Sequence, residues 1–165
     1  MSTVPADLVL RTLAPADWPA VERIYAEGIA TRMATFETAT PSWEEWDAAH
    51  LVAPRLVALL DGGMAGWAAL SPVSRRAVYR GVAEVSVYVA DSARRRGVGR
   101  ALLEALIERA DAAGLWTLQA TIFAENGPSI RLHEEAGFRL VGRRERIAQL
   151  DGRWRDTVLY ERRAR

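Results

Sequence analysis

The segment from Val82 to Ala113 changes its hydrophobic period at a glycine turn, and this limits the possible folds more than any other stretch of the chain. Val85, Val87 and Val89 alternate at strand spacing, which predicts a strand over Val82 to Ala90. Arg94-Arg95-Arg96-Gly97-Val98-Gly99 follows, and from Arg100 to Ala113 the residues Leu102, Leu103, Leu106 and Ile107 recur at helical spacing until Ala112-Ala113-Gly114 ends the run. A strand therefore feeds a helix through a turn whose glycines put no side chain over the first helical turn. Free backbone N–H groups and the positive end of the helix suit a bound pyrophosphate there, and the arginines add charge. On this spacing alone, plain turn chemistry competes with the phosphate reading.

The flanking segments supply the rest of a layered domain. Asp7 to Leu13 reads as a strand and Pro15-Ala16-Asp17 as a helix start, with Val21, Ile24, Tyr25 and Ile29 forming one apolar stripe from Trp18 to Ala30. Thr31 to Thr40 breaks the pattern and is a candidate substrate loop, and Pro41-Ser42 starts a second helix at Trp43. Arg55 to Leu60 and Met64 to Leu70 read as antiparallel strands joined at Asp61-Gly62-Gly63. Ser71 to Gly81 reads as a long loop bearing Arg75, Arg76 and Arg80. A strand from Trp116 to Phe123 precedes a helix, Ile130 to Ala136, that starts at Asn126-Gly127-Pro128-Ser129. Gly137-Phe138 turns into a strand from Arg139 to Arg143, and Arg146 to Leu150 with Trp154 to Arg162 reads as a terminal hairpin around Asp151-Gly152. This order predicts an α/β fold, a mixed sheet with helices on both faces.

Composition removes several function classes. A chain of 165 residues suits one domain over 1–165, and a formal charge of +1 gives no drive toward nucleic acid or anionic lipid. No apolar run reaches membrane-spanning length, no secretory pattern opens the chain, and a cytoplasmic location is expected. With no cysteine, and with His50 and His133 as the only histidines and neither at ligand spacing, no metal is expected. All 22 positive charges are arginine, so the glycines are followed by no Gly-Lys-[Ser/Thr], which disfavours a P-loop nucleotide hydrolase.

Three linked pieces, the strand Val85 to Val89, the turn with Arg94, Gly97 and Gly99, and Asn126-Gly-Pro-Ser129 followed by His133 and Gly137-Phe138, resemble the GNAT acetyltransferase superfamily, and the resemblance covers most of the chain. Thr35-Phe36-Glu37-Thr38, Ala83 to Val89, Ser129 to Glu134 and Gly152-Arg-Trp154-Arg-Asp156 are similar to the phosphinothricin and methionine sulfoximine N-acetyltransferases. The resemblance implies a mostly antiparallel central sheet, acetyl-CoA as donor and, commonly, a homodimer. It implies that the pyrophosphate sits on Arg94, Arg95, Arg96, Gly97, Val98, Gly99 and Arg100. The pantetheine arm is then expected beside Val87, Tyr88 and Val89, with contacts from Asn126, Ser129 and His133. Asn126 also reads as a plain helix N-cap.

Direct transfer to the primary amine of a small amino-acid-like acceptor requires that the ammonium first lose a proton. Period-two geometry puts Glu84, Ser86 and Tyr88 on one strand face and Val85, Val87 and Val89 on the other. Glu84 is the candidate base, acting directly or through a water, and an edge glutamate paired with an arginine is the alternative. His133 stands where many superfamily members carry a tyrosine proposed to protonate the departing thiolate, and Tyr88 is the competing acid. Guanidinium forks at Arg75, Arg76 and Arg80 suit an acceptor carboxylate or phosphinate, and by resemblance Phe36 and Glu37 border the same cleft. The stretch between Pro72 and Gly81 and the run Arg143-Arg144-Glu145-Arg146 depart from the phosphinothricin group. Two alternatives therefore stand beside the small-molecule reading: acetylation of a peptide or protein N-terminus, and an acyl-CoA-binding module without turnover.

Overall fold

A computed structural model describes residues 3–165. Its strands are β1 (Val9–Thr12), β2 (Arg55–Leu60), β3 (Gly63–Pro72), β4 (Val82–Val89), β5 (Thr117–Phe123), β6 (Arg139–Leu150) and β7 (Arg153–Arg163). Its helices are α1 (Trp18–Ala30), α2 (Trp43–Ala49), α3 (Val98–Ala112) and α4 (Gly127–Glu135). The strands form one sheet in the order β1-β2-β3-β4-β5-β7-β6, in which β4 and β5 are parallel and every other neighbouring pair is antiparallel. The parallel pair is the one joined through a helix, as the longer crossover of a parallel connection demands.

Adjacent residues of β3 show how the layers are divided. The Trp67 ring stacks 5.7 Å from Tyr25 of α1 and meets Trp46 of α2 edge-on at 5.5 Å. Its neighbour Gly66 faces Val98 and Leu102 of α3. Strand side chains alternate between faces, so α1 and α2 cover one side of the sheet and α3 the other. Both layers are dry: Ile24, Trp46, Leu56, Trp67, Leu102 and Leu106 are fully buried. Among the described residues no helix is long and apolar enough to cross a membrane.

Of the boundaries that differ from expectation, three have a physical reason in the fold. The helix after the glycine turn starts at Val98 rather than Arg100, because Gly97 takes a left-handed φ of 80° and already caps it. Strand β3 continues to Pro72, since Ser71 and Pro72 still pair with Glu84 and Ala83, and this shortens the loop expected from Ser71. The separate strands expected at Arg139 to Arg143 and Arg146 to Leu150 are one strand, interrupted between Arg144 and Ala148 by a bulge. Asp156 holds that bulge, accepting from the Arg146 amide at 2.8 Å and from Arg143 Nη2 at 2.6 Å, so the polar run bends the strand without ending it. The terminal hairpin turns at Asp151-Gly152 with φ of 52° and 75°, as the sequence predicts.

Gly66 tests this packing. A Cβ there would lie 2.7 Å from the Tyr88 carbonyl oxygen and 2.9 Å from Leu102 Cδ1, and the carbonyl cannot move without disturbing β4. Gly66→Ala is expected to cost about 1–3 kcal/mol and lower the melting temperature by several degrees, as thermal unfolding followed by circular dichroism would record.

Candidate functional site

Strands β4 and β5 stay paired for only three residue pairs, Val82 with Thr117, Ala83 with Leu118 and Glu84 with Gln119, and then separate. On its other side β4 remains paired with β3 from Ala83 to Val89. The Val82 carbonyl accepts from the Val73 amide and the Ala90 amide donates to the Ala65 carbonyl, so even-numbered positions of β4 direct their backbone toward β3. Antiparallel alternation then turns the C=O of Val85 and the N–H and C=O of Val87 and Val89 toward the gap left by β5. A cleft of about 1450 Å³ occupies that gap, walled by β4 from Glu84 to Val89, by loop residues Thr35, Phe36 and Glu37, by the glycine turn and by α4.

The glycine turn closes one end. The first α3 amide to find a partner inside the helix is that of Ala101, which donates to the Gly97 carbonyl, so the amides of Val98, Gly99 and Arg100 have no bond within the helix. A Cβ on Gly99 would make ordinary contacts, 3.4 Å from Val89 Cγ2 and 3.7 Å from Leu132 Cδ2, so the helix start packs close to both β4 and α4. Arg94, Arg95, Val98 and Arg100 also line this end. Arg96 is not in the lining; it turns away to pair with Asp61 at 3.2 Å. An edge of free strand amides leading to free helix amides under glycines fits an extended amide arm that ends in a pyrophosphate.

Glu84 sits at the fork. Its Oε1 accepts from Gln119 Nε2 at 3.0 Å and from Thr121 Oγ1 at 2.9 Å, both on β5, so its partners are neutral donors and not the arginine of the alternative reading. Tyr88 shares its face and stacks with both Tyr25 at 4.9 Å and Trp67 at 4.8 Å, with Thr35 beside both phenols. Burial above all, with Tyr25 next to it, pushes the Tyr88 phenol far above the usual tyrosine range. Gly28 of α1 makes room for this ring, since a Cβ there would lie 2.7 Å from it.

On α4, Asn126 is the N-cap expected from its spacing, accepting from the Ser129 amide at 3.2 Å, and its Nδ2 also donates to the Met33 carbonyl at 3.0 Å. His133 is buried, with Nδ1 2.7 Å from the Ser129 carbonyl, which can only accept, so the proton is on Nδ1 and Nε2 is bare. Burial holds this imidazole below its usual range. Phe36 and Glu37 line the cleft, and Phe36 meets Phe123 edge-on at 4.8 Å.

Arg75, Arg76 and Arg80 are all exposed and are not among the lining residues. A 3-10 turn at Ala77–Tyr79 directs Arg76 over Tyr79 at 5.5 Å and Arg80 over Trp116 at 5.4 Å. Instead, His50, Ser71 and Thr121 border the cleft with Glu84. None of the three is marked by a motif, and Ser71, expected to begin a loop, reaches the cleft because β3 continues and pairs it with Glu84. His50 donates from Nδ1 to the Trp46 carbonyl at 2.6 Å, and burial lowers its pKa too. Among the described residues no group of His, Cys, Asp and Glu side chains is arranged to hold a metal ion.

The model of the acetyltransferase (GNAT) family matches residues 18–138. An L-methionine sulfoximine/L-methionine sulfone acetyltransferase of Pseudomonas paraeruginosa is 37% identical over 92% of this chain and 92% of its own length. A phosphinothricin acetyltransferase of Sinorhizobium meliloti, solved in complex with acetyl-CoA, superposes with a TM-score of 0.87 at 32% identity, covering 96% of this chain and 89% of that one. A ribosomal-protein-alanine N-acetyltransferase of Brucella melitensis superposes with a TM-score of 0.86, also at 32% identity, over 94% of this chain and 99% of that one.

Because both histidines are held below the usual imidazole range, the unfolded chain binds more protons than the folded one as pH falls. Their contribution to stability is complete above the unfolded value of about 6.5 and is lost as pH drops through the folded values. The melting temperature is expected to fall between about pH 7 and about pH 5, and His133→Gln to flatten part of that slope. A calorimetric series in which the variant kept the full slope would assign the dependence to other groups.

Proposed function

The chain belongs to the GNAT acetyltransferase family, and we propose that within it the protein acetylates the primary amine of a small amino-acid-like acceptor such as phosphinothricin or methionine sulfoximine. The observation that carries this reading is the free β4 edge, which runs from Glu84 at the fork toward the glycine turn at Gly97 to Gly99. Acetyl-CoA supplies a thioester-activated acetyl carbon; transfer forms an amide C–N bond and breaks the C–S bond. In this reading the amides of Val87 and Val89 pair with the pantetheine arm, and those of Val98, Gly99 and Arg100 receive the pyrophosphate.

Glu84 takes the proton that the acceptor ammonium must lose, directly or through one water. Its lone pairs beyond those used by Gln119 and Thr121 remain available for this, and those two donors fix the carboxylate at the fork. The leaving sulfur needs a proton donor. Tyr88 keeps its proton at neutral pH, whereas the free nitrogen of His133 carries none, and this supports Tyr88 as donor and His133 as a hydrogen-bond acceptor. Phe36 and Glu37, on the opposite wall, are suited to contact the acceptor, the Glu37 carboxylate by pairing with the acceptor's ammonium. The exposed β6 edge, bearing Leu140, Val141 and Ile147, supports a homodimer.

A second reading, acetylation of a protein N-terminus, is favoured by the likeness to the Brucella melitensis protein. Purified protein assayed for free thiol with acetyl-CoA separates the two. Turnover is expected with phosphinothricin, methionine sulfoximine or methionine sulfone, and turnover confined to an N-terminal alanine peptide would overturn the small-molecule reading. In the same assay Glu84→Gln is expected to lower kcat on the order of a hundredfold or more while acetyl-CoA still binds. Unchanged turnover would remove Glu84 from the chemistry. Tyr88→Phe is expected to lower kcat more than His133→Gln, and the reverse order would give the sulfur's proton to His133.

A further inference from the structure

The Gly152-Arg-Trp154-Arg155-Asp156 stretch has no part in the transfer described above, yet Arg155 reaches from β7 to the loop that walls the cleft. Its side chain is only 15% exposed. Nη1 donates to the Arg32 carbonyl at 2.9 Å, while Nη2 lies 3.4 Å from Met33 Sδ and 3.4 Å from the Glu125 carboxylate. The guanidinium also sits 4.1 Å over the Phe123 ring, the ring that Phe36 meets edge-on. The same fork thus holds two consecutive loop residues and the aromatic platform on which the cleft residue Phe36 rests.

Two other contacts converge on the same place. Asn126 donates to the Met33 carbonyl, and Arg32 pairs with Asp151 at 3.2 Å. The loop between α1 and α2 is thereby fastened to β7, to the start of α4 and to the β6–β7 turn, although it contributes no strand to the sheet. Arg155 is the most buried side chain of the two ion pairs involved, so its bonds are the least open to competition from water. Spanning a carbonyl and a thioether at once needs a planar fork; a lysine ammonium could reach only one of them well. Asp156, the next residue, points to β6 and holds the bulge, so adjacent residues of one motif brace opposite neighbours of β7.

We propose that Arg155 is a positioning residue for acceptor recognition: by pinning Arg32 and Met33 it sets where Thr35, Phe36 and Glu37 stand in the cleft. Its effect falls on the amine substrate and spares the glycine-turn end of the site. The kinetic half of this statement rests on the transferase reading above; the structural half does not.

The test uses the full chain with Arg155→Met, which keeps an apolar stem against Phe123, and Arg155→Lys, which keeps the charge. Hydrogen exchange read by mass spectrometry is expected to speed up roughly tenfold in peptides covering 31–40 in Arg155→Met, with α3 and the β3–β4 pair unchanged and Arg155→Lys intermediate. The acceptor KM is expected to rise several-fold, with kcat and the acetyl-CoA KM within about twofold of the parent. Unaltered exchange in 31–40, exchange that speeds up uniformly across the chain, or equal rises in both KM values would each overturn the proposal. If the parent protein acetylates no acceptor, the transferase reading fails by itself, and the exchange experiment still decides whether Arg155 fixes the loop.

Discussion

Everything distinctive in this molecule follows from a parallel strand pair that stops after three residue pairs. Backbone N–H and C=O groups inside a folded protein need partners, and strands normally provide them for each other along their whole length. Here β4 is held by β3 across seven residue pairs but parts from β5 beyond Glu84 and Gln119, so one edge of a central strand faces a cleft. That edge is half-buried and cannot be left bare without cost, and the complement it calls for is another chain of amides. The fork also explains the position of Glu84, the last β4 residue with a β5 partner and the first with a cleft beside it.

The two ends of the cleft are built from different materials. At the glycine turn the proposed recognition groups are backbone amides, which depend on φ values and tolerate much change in the surrounding side chains. At the other end they are side chains brought together from α1, the loop after it, β4, β5 and β7. Precision there depends on contacts such as those of Asn126 and Arg155 with the loop. A family built this way can keep one donor while its acceptors diverge, because replacing loop residues leaves the strand edge and helix start untouched.

The same division decides how much could be read from the sequence. The glycine turn was legible because a change of period and two glycines are local signals, and the face shared by Glu84, Ser86 and Tyr88 followed from strand alternation alone. Asn126 was legible as a cap, but not as a link to Met33, 93 residues earlier. Arg155 was equally hidden, since no periodic pattern connects it to Arg32 across 123 residues. The arginines at 75, 76 and 80 show the opposite limit: their charge was plain, but the 3-10 turn that carries two of them onto Tyr79 and Trp116 was not. On β6, a polar run that reads as a break proved to be a bulge, because the residue that stabilises it, Asp156, lies on the next strand.

Four of the chain's six tryptophans, Trp18, Trp43, Trp46 and Trp67, lie in one connected set with ring centroids 5.5 to 5.9 Å apart. The set ends at Tyr88, whose ring lies 4.8 Å from Trp67 and borders the cleft. Light absorbed by Tyr88 can pass to Trp67 and from there among the tryptophans before emission, and Tyr88 shares a wall with whatever fills the cleft. The packing that makes the helix layer dry therefore also sets the chain's largest group of natural fluorophores one ring away from the cleft.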